Sequence, residues 1–453
     1  MQPTQATQPT QPTQPKSIFA IKGFPLFAGS TFISMVGDQL TMIALPWLML
    51  SLTNDPVAVG MLFALLGLPR AVVILVGGAL ADRFHPASIL VWTRALSGAA
   101  LALLALLAWQ GTLAAAHLYW FAAWLGLCSA IAIPAGQSIL PRLVDRAHYA
   151  AGNGLIMGMT QLAALCGPVA AAAIIYLFQQ QGQDSSGYAL VFALDAATFA
   201  LACVAIRFLR FPNASPLPPR GALGAALREG WNYVRADGAM LPFLLYIAAI
   251  SLLTTGPVMV GVPLLVKDEL QGGVFQYGSF LVFMNLGALL SAFVAPTAAR
   301  IPAARFIPLV LGLDMLIGLL MIVFVNTSGG VAPSAILLVV GLVTAYVQVA
   351  LVTRIQKRVE PRFLGRVMSY VMFAYIGLVP VSAALAGFVA KHYSARTMFE
   401  AVGVGMVVTA LLFFFNRRMR RFAEGAPQPQ PQPQLQPELQ PELQPNSTPA
   451  PTA

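Results

Sequence analysis

The sequence predicts an all-α membrane protein, with twelve transmembrane helices in two six-helix pseudo-repeat bundles, and three observations carry that prediction. Of 453 residues, 58% are hydrophobic and only 9% charged, against roughly 45 to 50% and about 25% for a soluble domain. Such a chain cannot clothe itself in polar surface. Twelve apolar runs are each long enough to cross ~30 Å of hydrocarbon at ~1.5 Å per residue. The second half of the chain also repeats features of the first at a nearly constant offset.

The runs lie at 24–50, 57–80, 88–108, 117–139, 150–177, 187–208, 241–266, 276–299, 304–326, 333–355, 364–390 and 396–416. A bilayer offers backbone groups no water to bond, and runs of this length exceed a barrel strand, so each must be a helix. Flanking them are a Thr-Gln-Pro tail at 1–22 and a Pro-Gln tail at 422–453. Neither can bury enough apolar area to offset the entropy of ordering, and both are expected to be disordered. The helical bundles are assigned to 23–209 and 241–421, with a linker at 210–240. In that linker Leu223, Leu227, Trp231 and Val234 share one helical face, while Arg228 and Arg235 lie on another. This pattern fits a helix lying in the membrane interface and fits an ordinary linker helix equally well.

Orientation follows from the bases. Of 26 lysines and arginines, Lys267, Lys391 and Arg396 fall on one side, Arg70 falls inside the second run, and all the others fall on the opposite side. That bias places both termini in the cytoplasm of a bacterial-type inner membrane. An offset of 217 lays Ile33-Ser34-Met35 on Ile250-Ser251-Leu252, Met42 on Met259, Ala44-Leu45-Pro46 on Gly261-Val262-Pro263, and Arg83 on Arg300. An offset of 215 lays Val144-Asp145 on Val359-Glu360. Matches in one order and one membrane sense indicate a parallel repeat, the architecture of a rocking transporter.

Composition and motifs also exclude classes of function. The net charge of +10 sits in short clusters between apolar runs, which is the topogenic pattern and no nucleic-acid surface. Cys128, Cys166 and Cys203 all fall within apolar runs without metal-ligand spacing and read as core thiols. No phosphate-binding loop, zinc pair or nucleophile elbow occurs, so neither an enzyme nor a cofactor is expected. The expected partners are a small-molecule substrate, membrane lipid and a proton or other ion, with the protein a monomer.

Ionisable residues inside a span mark function by default. Asp38 lies about 14 residues into the first run, or ~21 Å from its cytoplasmic end, and Thr31, Ser34, Asp38 and Thr41 form one polar stripe. Arg70 in the second run lies at a comparable height, ~16 Å, and is a potential partner for Asp38. A static ion pair between the two would serve packing alone. Asp314 has no obvious basic partner in its own run and is the second candidate carrier, whereas Asp195 reads as structural. Gln137, Gln161, Asn285 and Gln348 are uncharged cavity candidates, accompanied by Asn153, Thr254, Thr255, Tyr346 and Tyr375. With Met157, Met159 and Met284 they describe an adaptable amphipathic pocket.

Between the second and third runs stands Gly78-Ala79-Leu80-Ala81-Asp82-Arg83. Other distinctive stretches are Gly37-Asp38-Gln39-Leu40, Ala44-Leu45-Pro46-Trp47, Pro134-Ala135, Leu140-Pro141, Phe192-Ala193-Leu194-Asp195-Ala196, Leu227-Arg228-Glu229-Gly230 and Leu364-Gly365-Arg366-Val367. In this order, over about 24–416, they resemble the major facilitator superfamily, in particular the branch of the enterobactin exporter and macrolide-type efflux pumps. The resemblance implies export of amphipathic small molecules, such as drugs or siderophores, by rocker-switch alternating access coupled to protons. It also implies that Asp82 and Arg83, beside Gly78, dock on the helix start at Gly365-Arg366 when the cytoplasmic side closes, which suits an acid at a helix N-terminus. Gly167-Pro168 resembles the exporter-type glycine-proline motif, a bend for a helix between halves. His85-Pro86-Ala87 replaces the bases that usually follow the Asp-Arg pair, and the fourth run carries no membrane Arg. Alternatives are a lysophospholipid flippase of the same fold and a sensor or scaffold that transports nothing.

Overall fold

A computed structural model describes residues 17–81, 85–145, 148–209, 223–298, 300–327 and 331–422. Helix is the only regular structure among them. After a short 3-10 turn, Ile18–Ala20, come α1 (Phe24–Thr53), α2 (Pro56–Ala81), α3 (Pro86–Trp109), α4 (Ala115–Gln137), the single turn α5 (Leu140–Leu143), α6 (Tyr149–Gln180), α7 (Asp184–Arg207) and α8 (Leu223–Ala236). The chain continues through α9 (Met240–Gly256), α10 (Val262–Leu264), α11 (Val274–Ala298), α12 (Ala303–Asn326), α13 (Ala332–Arg358), α14 (Pro361–Met372), α15 (Val379–His392), α16 (Ala395–Phe414) and α17 (Arg417–Phe422).

Eleven helices among the described residues are long and apolar enough to cross a membrane. Of the second predicted run, the described apolar stretch is Pro56–Val72, shorter than those eleven. Two of the eleven are interrupted. Met240–Glu269 contains π-helical turns at Pro257–Gly261 and Leu265–Glu269, and Phe363–His392 contains one at Phe373–Gly377. Proline explains two of these turns. Pro263 and Pro380 lack an N–H and press on the carbonyl four residues back, at Met259 and Ile376. Both carbonyls lie inside the widened turn, where the helix yields without breaking.

Two helix pairs join the chain before α8 to the chain after it: α2 packs along α15, and α6 along α11. Both contacts depend on small residues, since without a hydrophobic drive between helices close backbone approach supplies the attraction. A Cβ on Gly60 would stand 2.6 Å from the Ala383 carbonyl and 3.2 Å from the Gly387 Cα. A Cβ on Gly278 would stand 2.6 Å from Ala172 and 3.1 Å from the Pro168 carbonyl, so the glycine-proline stretch of α6 faces α11.

The linker helix α8 lies on α14. Trp231 and Tyr370 rings stand 5.9 Å apart, and those of Tyr233 and Phe363 4.7 Å. Its aromatic face is thus covered by protein. At the corner that follows, buried Arg358 grips Asp237 with two hydrogen bonds, of 2.8 and 2.9 Å, and donates a third to the Phe422 carbonyl at 2.7 Å. Phe422 stacks on Phe243 at 3.7 Å, which ties α17 to α9. The expectation of three core thiols needs one correction: Cys128 is buried and Cys203 half-buried, but Cys166 is exposed, because it stands on an uncovered side of α6.

Candidate functional site

A cavity of about 630 Å³ opens among α1, α2, α3, α4, α6 and α7, and its wall includes Ser34, Asp38, Thr41, Arg70, Arg94, Gln137, Asn153 and Asp195. The polar stripe of α1 divides between two jobs. Asp38 lines this cavity and is an exposed residue in its wall. Ser34 and Thr41 are buried, at 1% and 2%, and engage other helices. Thr41 donates to the carboxylate of Asp195 in α7, which also accepts from Thr198, so this 1% exposed acid is satisfied by two hydroxyls. Gly37 makes the approach possible, since a Cβ there would overlap both Asp195 and Thr198.

The pair expected between Asp38 and Arg70 is not closed. No cation comes within 4 Å of Asp38 among the described residues, and Arg70 instead donates its Nε to Ser129 of α4 at 2.7 Å. Both Arg70 and Arg94 lie close enough to Asp38 to attract it, Arg94 the more strongly. Arg94 stands nine residues into α3, donates to Ser34, and lies 5.8 Å over the Phe199 ring. Its Nε has no acceptor among the described residues. Charge counting had placed Arg94 with the cytoplasmic bases. Its depth in the helix, ~13 Å by rise, is the sequence signal that singles it out.

A second cavity, of about 400 Å³, is lined from α9, α11, α12, α13 and α16, with Thr254, Thr255, Met284, Asn285 and Gln348 in its wall and no charged side chain. Met42 of α1 lines both cavities. Asn285 spends one amide hydrogen on Leu281, while Gln348 is open to the space. Gln161 lines neither cavity. Asp314 also stands apart from both: it is 1% exposed, and Tyr246 donates a hydrogen bond to it. Gly167 lies against Gln39 of α1, and Pro168 against α11.

Of the expected cytoplasmic gate, Asp82 and Arg83 lie outside the described residues, as do most of both tails. Gly78 is in the last turns of α2. Gly365 has open space where a Cβ would be, and Arg366 is held by Glu229 of α8.

At the other end of α1, ~18 Å from Asp38 by helical rise, a polar latch crosses between the two pairs of packed helices. Lys267 donates to the Leu50 carbonyl at 2.8 Å and to the Asn54 side chain. Lys391 pairs with Asp55 at 2.9 Å, and the Arg396 N–H bonds Glu269 at 2.8 Å. Trp47 stacks on Tyr277, centroids 5.7 Å apart. Lys267 and Lys391 counted in the sequence only as exceptions to the charge bias; their partners are more than 200 residues away.

Comparison with known proteins places this architecture. The sequence is 25% identical over 425 residues to an enterobactin exporter of Escherichia coli (strain 536), covering 90% of this chain and 96% of that one. It is 20% identical over 397 residues to a staphyloferrin A transporter of Staphylococcus aureus, covering 87% and 96%. Among solved structures, a bacterial homologue of the iron transporter ferroportin in an inward-facing state superposes with TM-score 0.71 at 13% identity, covering 90% of this chain and all of that one. A nucleoside transporter superposes with TM-score 0.65 at 13% identity, covering 87% and 98%. The sequence pattern of the Major Facilitator Superfamily matches residues 27–379. The protein is therefore an integral, multi-pass membrane transporter, no enzyme, and it belongs to the Major Facilitator Superfamily.

Proposed function

We propose that the protein is a secondary active exporter of amphipathic small molecules, of the siderophore or drug kind, working by alternating access. The observation that carries this reading is the pair of cavities that share Met42 in their walls, one charged and one without charge, beneath a latched end. A cargo with a polar head and an apolar body fits such a pair. The enterobactin exporter and staphyloferrin A transporter among its relatives support the siderophore kind.

In this reading α2 completes twelve spans, and 23–209 and 241–421 are two six-helix bundles around a pseudo-two-fold axis, joined by 210–240. One contact supports the axis. Lys267 and Leu50 are equivalent at the 217-residue offset, and they touch each other, which equivalents do only near such an axis. Both termini are cytoplasmic, in a bacterial inner membrane, and the latched end is outermost. Protons drive transport, with Asp38 as carrier. It ranks ahead of Asp314 because it faces the cavity, whereas Asp314 is sealed against Tyr246. Arg70, Ser34, Thr41 and Gln137 surround the carrier, while Asn285 and Gln348 face the cargo body. Asp82 and Arg83 close on Gly365-Arg366 once Glu229 releases Arg366.

An accumulation screen of drugs, siderophores and lysolipids in an efflux-deficient host tests the reading. At least one drug or siderophore should accumulate less with the wild-type chain, and that difference should vanish with Asp38→Asn. A response confined to lysolipids, or no response at all, refutes the exporter.

A further inference from the structure

Resting on that exporter reading, we infer that the cargo is an amphipathic anion, its carboxylate or similar oxyanion seated on Arg94 and Arg70, its apolar body lying across Met42 in the second cavity. The charges in the first cavity balance on paper, two acids against two bases, but their contacts do not. Asp195 is withdrawn from the space, 1% exposed and occupied by Thr41 and Thr198. Asp38 closes no ion pair within 4 Å among the described residues. Among the described residues, the two guanidiniums that face the cavity have hydroxyls as their hydrogen-bond partners, Ser34 for Arg94 and Ser129 for Arg70. Neither hydroxyl neutralises a charge. The buried Nε of Arg94 has no acceptor among the described residues, although native structures seldom leave a buried donor so.

A guanidinium presents parallel N–H groups that match an oxyanion, and Phe199 below Arg94 and the hydroxyl anchors fix where each fork stands. The second cavity supplies no counter-charge to compete for the same group. At the 217-residue offset Asp38 corresponds to Thr255, so the site is charged on one side only. The orientation of the cargo is thus fixed: head toward α1, α2 and α3, body among Met284, Tyr277 and Phe399. Asp38, a like charge beside the head, competes with it for the two arginines.

Three probes with one body test the charge: biphenyl-4-carboxylate, biphenyl-4-carboxamide and 4-(aminomethyl)biphenyl, each bound at equilibrium to the full chain in nanodiscs and corrected against empty discs. The carboxylate should bind about ten- to hundredfold more tightly than the carboxamide, as a hydrogen bond to a charged group does. Arg94→Gln should abolish that preference by weakening the carboxylate to the level of the carboxamide, and Asp38→Asn should tighten the carboxylate. Should Arg94→Gln fail to fold, Arg94→Lys, which keeps the charge and loses the fork, should show an intermediate preference. Equal binding of carboxylate and carboxamide, or tightest binding of the amine with loss in Asp38→Asn, overturns the anion site. Counterflow of the same probes in proteoliposomes separates the two readings. Transport without charge preference refutes the anion site and spares the exporter, whereas Arg94-dependent binding without transport sustains the site and refutes the exporter.

Discussion

Lys267→Met should open the latched end. The substitution keeps an apolar stem of similar length and removes the two hydrogen bonds to Leu50 and Asn54. A hydrogen bond from a charged group contributes about 1.5 to 3 kcal/mol; a half-buried ammonium regains water when its bonds break, so the two together contribute the lower figure, about 1.5 kcal/mol, a factor of roughly ten in the equilibrium between latched and open forms. Asp55→Asn should do less. Its pair with Lys391 is 33% and 51% exposed on the two sides, so about 0.5 to 1 kcal/mol, or two- to fivefold, is the expected shift. The assay is the labelling rate of Met42→Cys by an impermeant maleimide from the outer side, in a background with Cys128, Cys166 and Cys203 replaced by serine. Rates should rise about tenfold and two- to fivefold respectively. Burial pushes the Asp55 carboxyl up, but the hydrogen bond and charge of Lys391 and the Val57 N–H outweigh it and hold it below the ordinary value. A depressed acid contributes its stability above the ordinary value, about 3.9, and loses it only as pH falls through the folded value. The Asp55 contribution should therefore be flat between pH 5 and 8. Unchanged labelling in a folded Lys267→Met protein refutes the latch.

Two further outcomes concern the framework. Gly37→Ala should cost about 1 to 3 kcal/mol, because its Cβ overlaps the Asp195 carboxylate and Thr198 in a packed α1–α7 contact; a melting temperature equal to wild type contradicts that packing. Asp237→Ala removes two charge-assisted hydrogen bonds from the buried Arg358 and should cost about 3 to 5 kcal/mol, while Asp237→Leu with Arg358→Met should recover most of the loss. Thermal melts in one detergent check both, and equal losses in the single and double variants would sink the second.

Much of this fold is legible in one dimension, because bilayer thickness fixes helix length and apolar runs report it directly. The depth of Asp38 was readable for the same reason. What the sequence does not carry is which helices meet. Thr41 belongs to the same stripe as Asp38, yet its partner is Asp195, 154 residues away. Arg366, the expected docking point of the signature-loop acid, is held by Glu229 on α8, 137 residues away in the chain. Arg94 shows the sharper limit: a base six residues inside the predicted run looks the same as a topogenic base until the helix start is fixed at Pro86.

The π turn at Pro257–Gly261 gives the latch a clutch. A π turn holds one residue more than an α turn, so relaxing it would rotate everything downstream by about 100° and advance it ~1.5 Å. Lys267 lies six residues beyond its end, with a second such turn around the lysine itself. The surplus residue thus sets the direction in which the ammonium points. Disengaging the latch needs no broken helix and no bodily withdrawal of the side chain, only a change of winding in a segment that Pro263 already keeps loose.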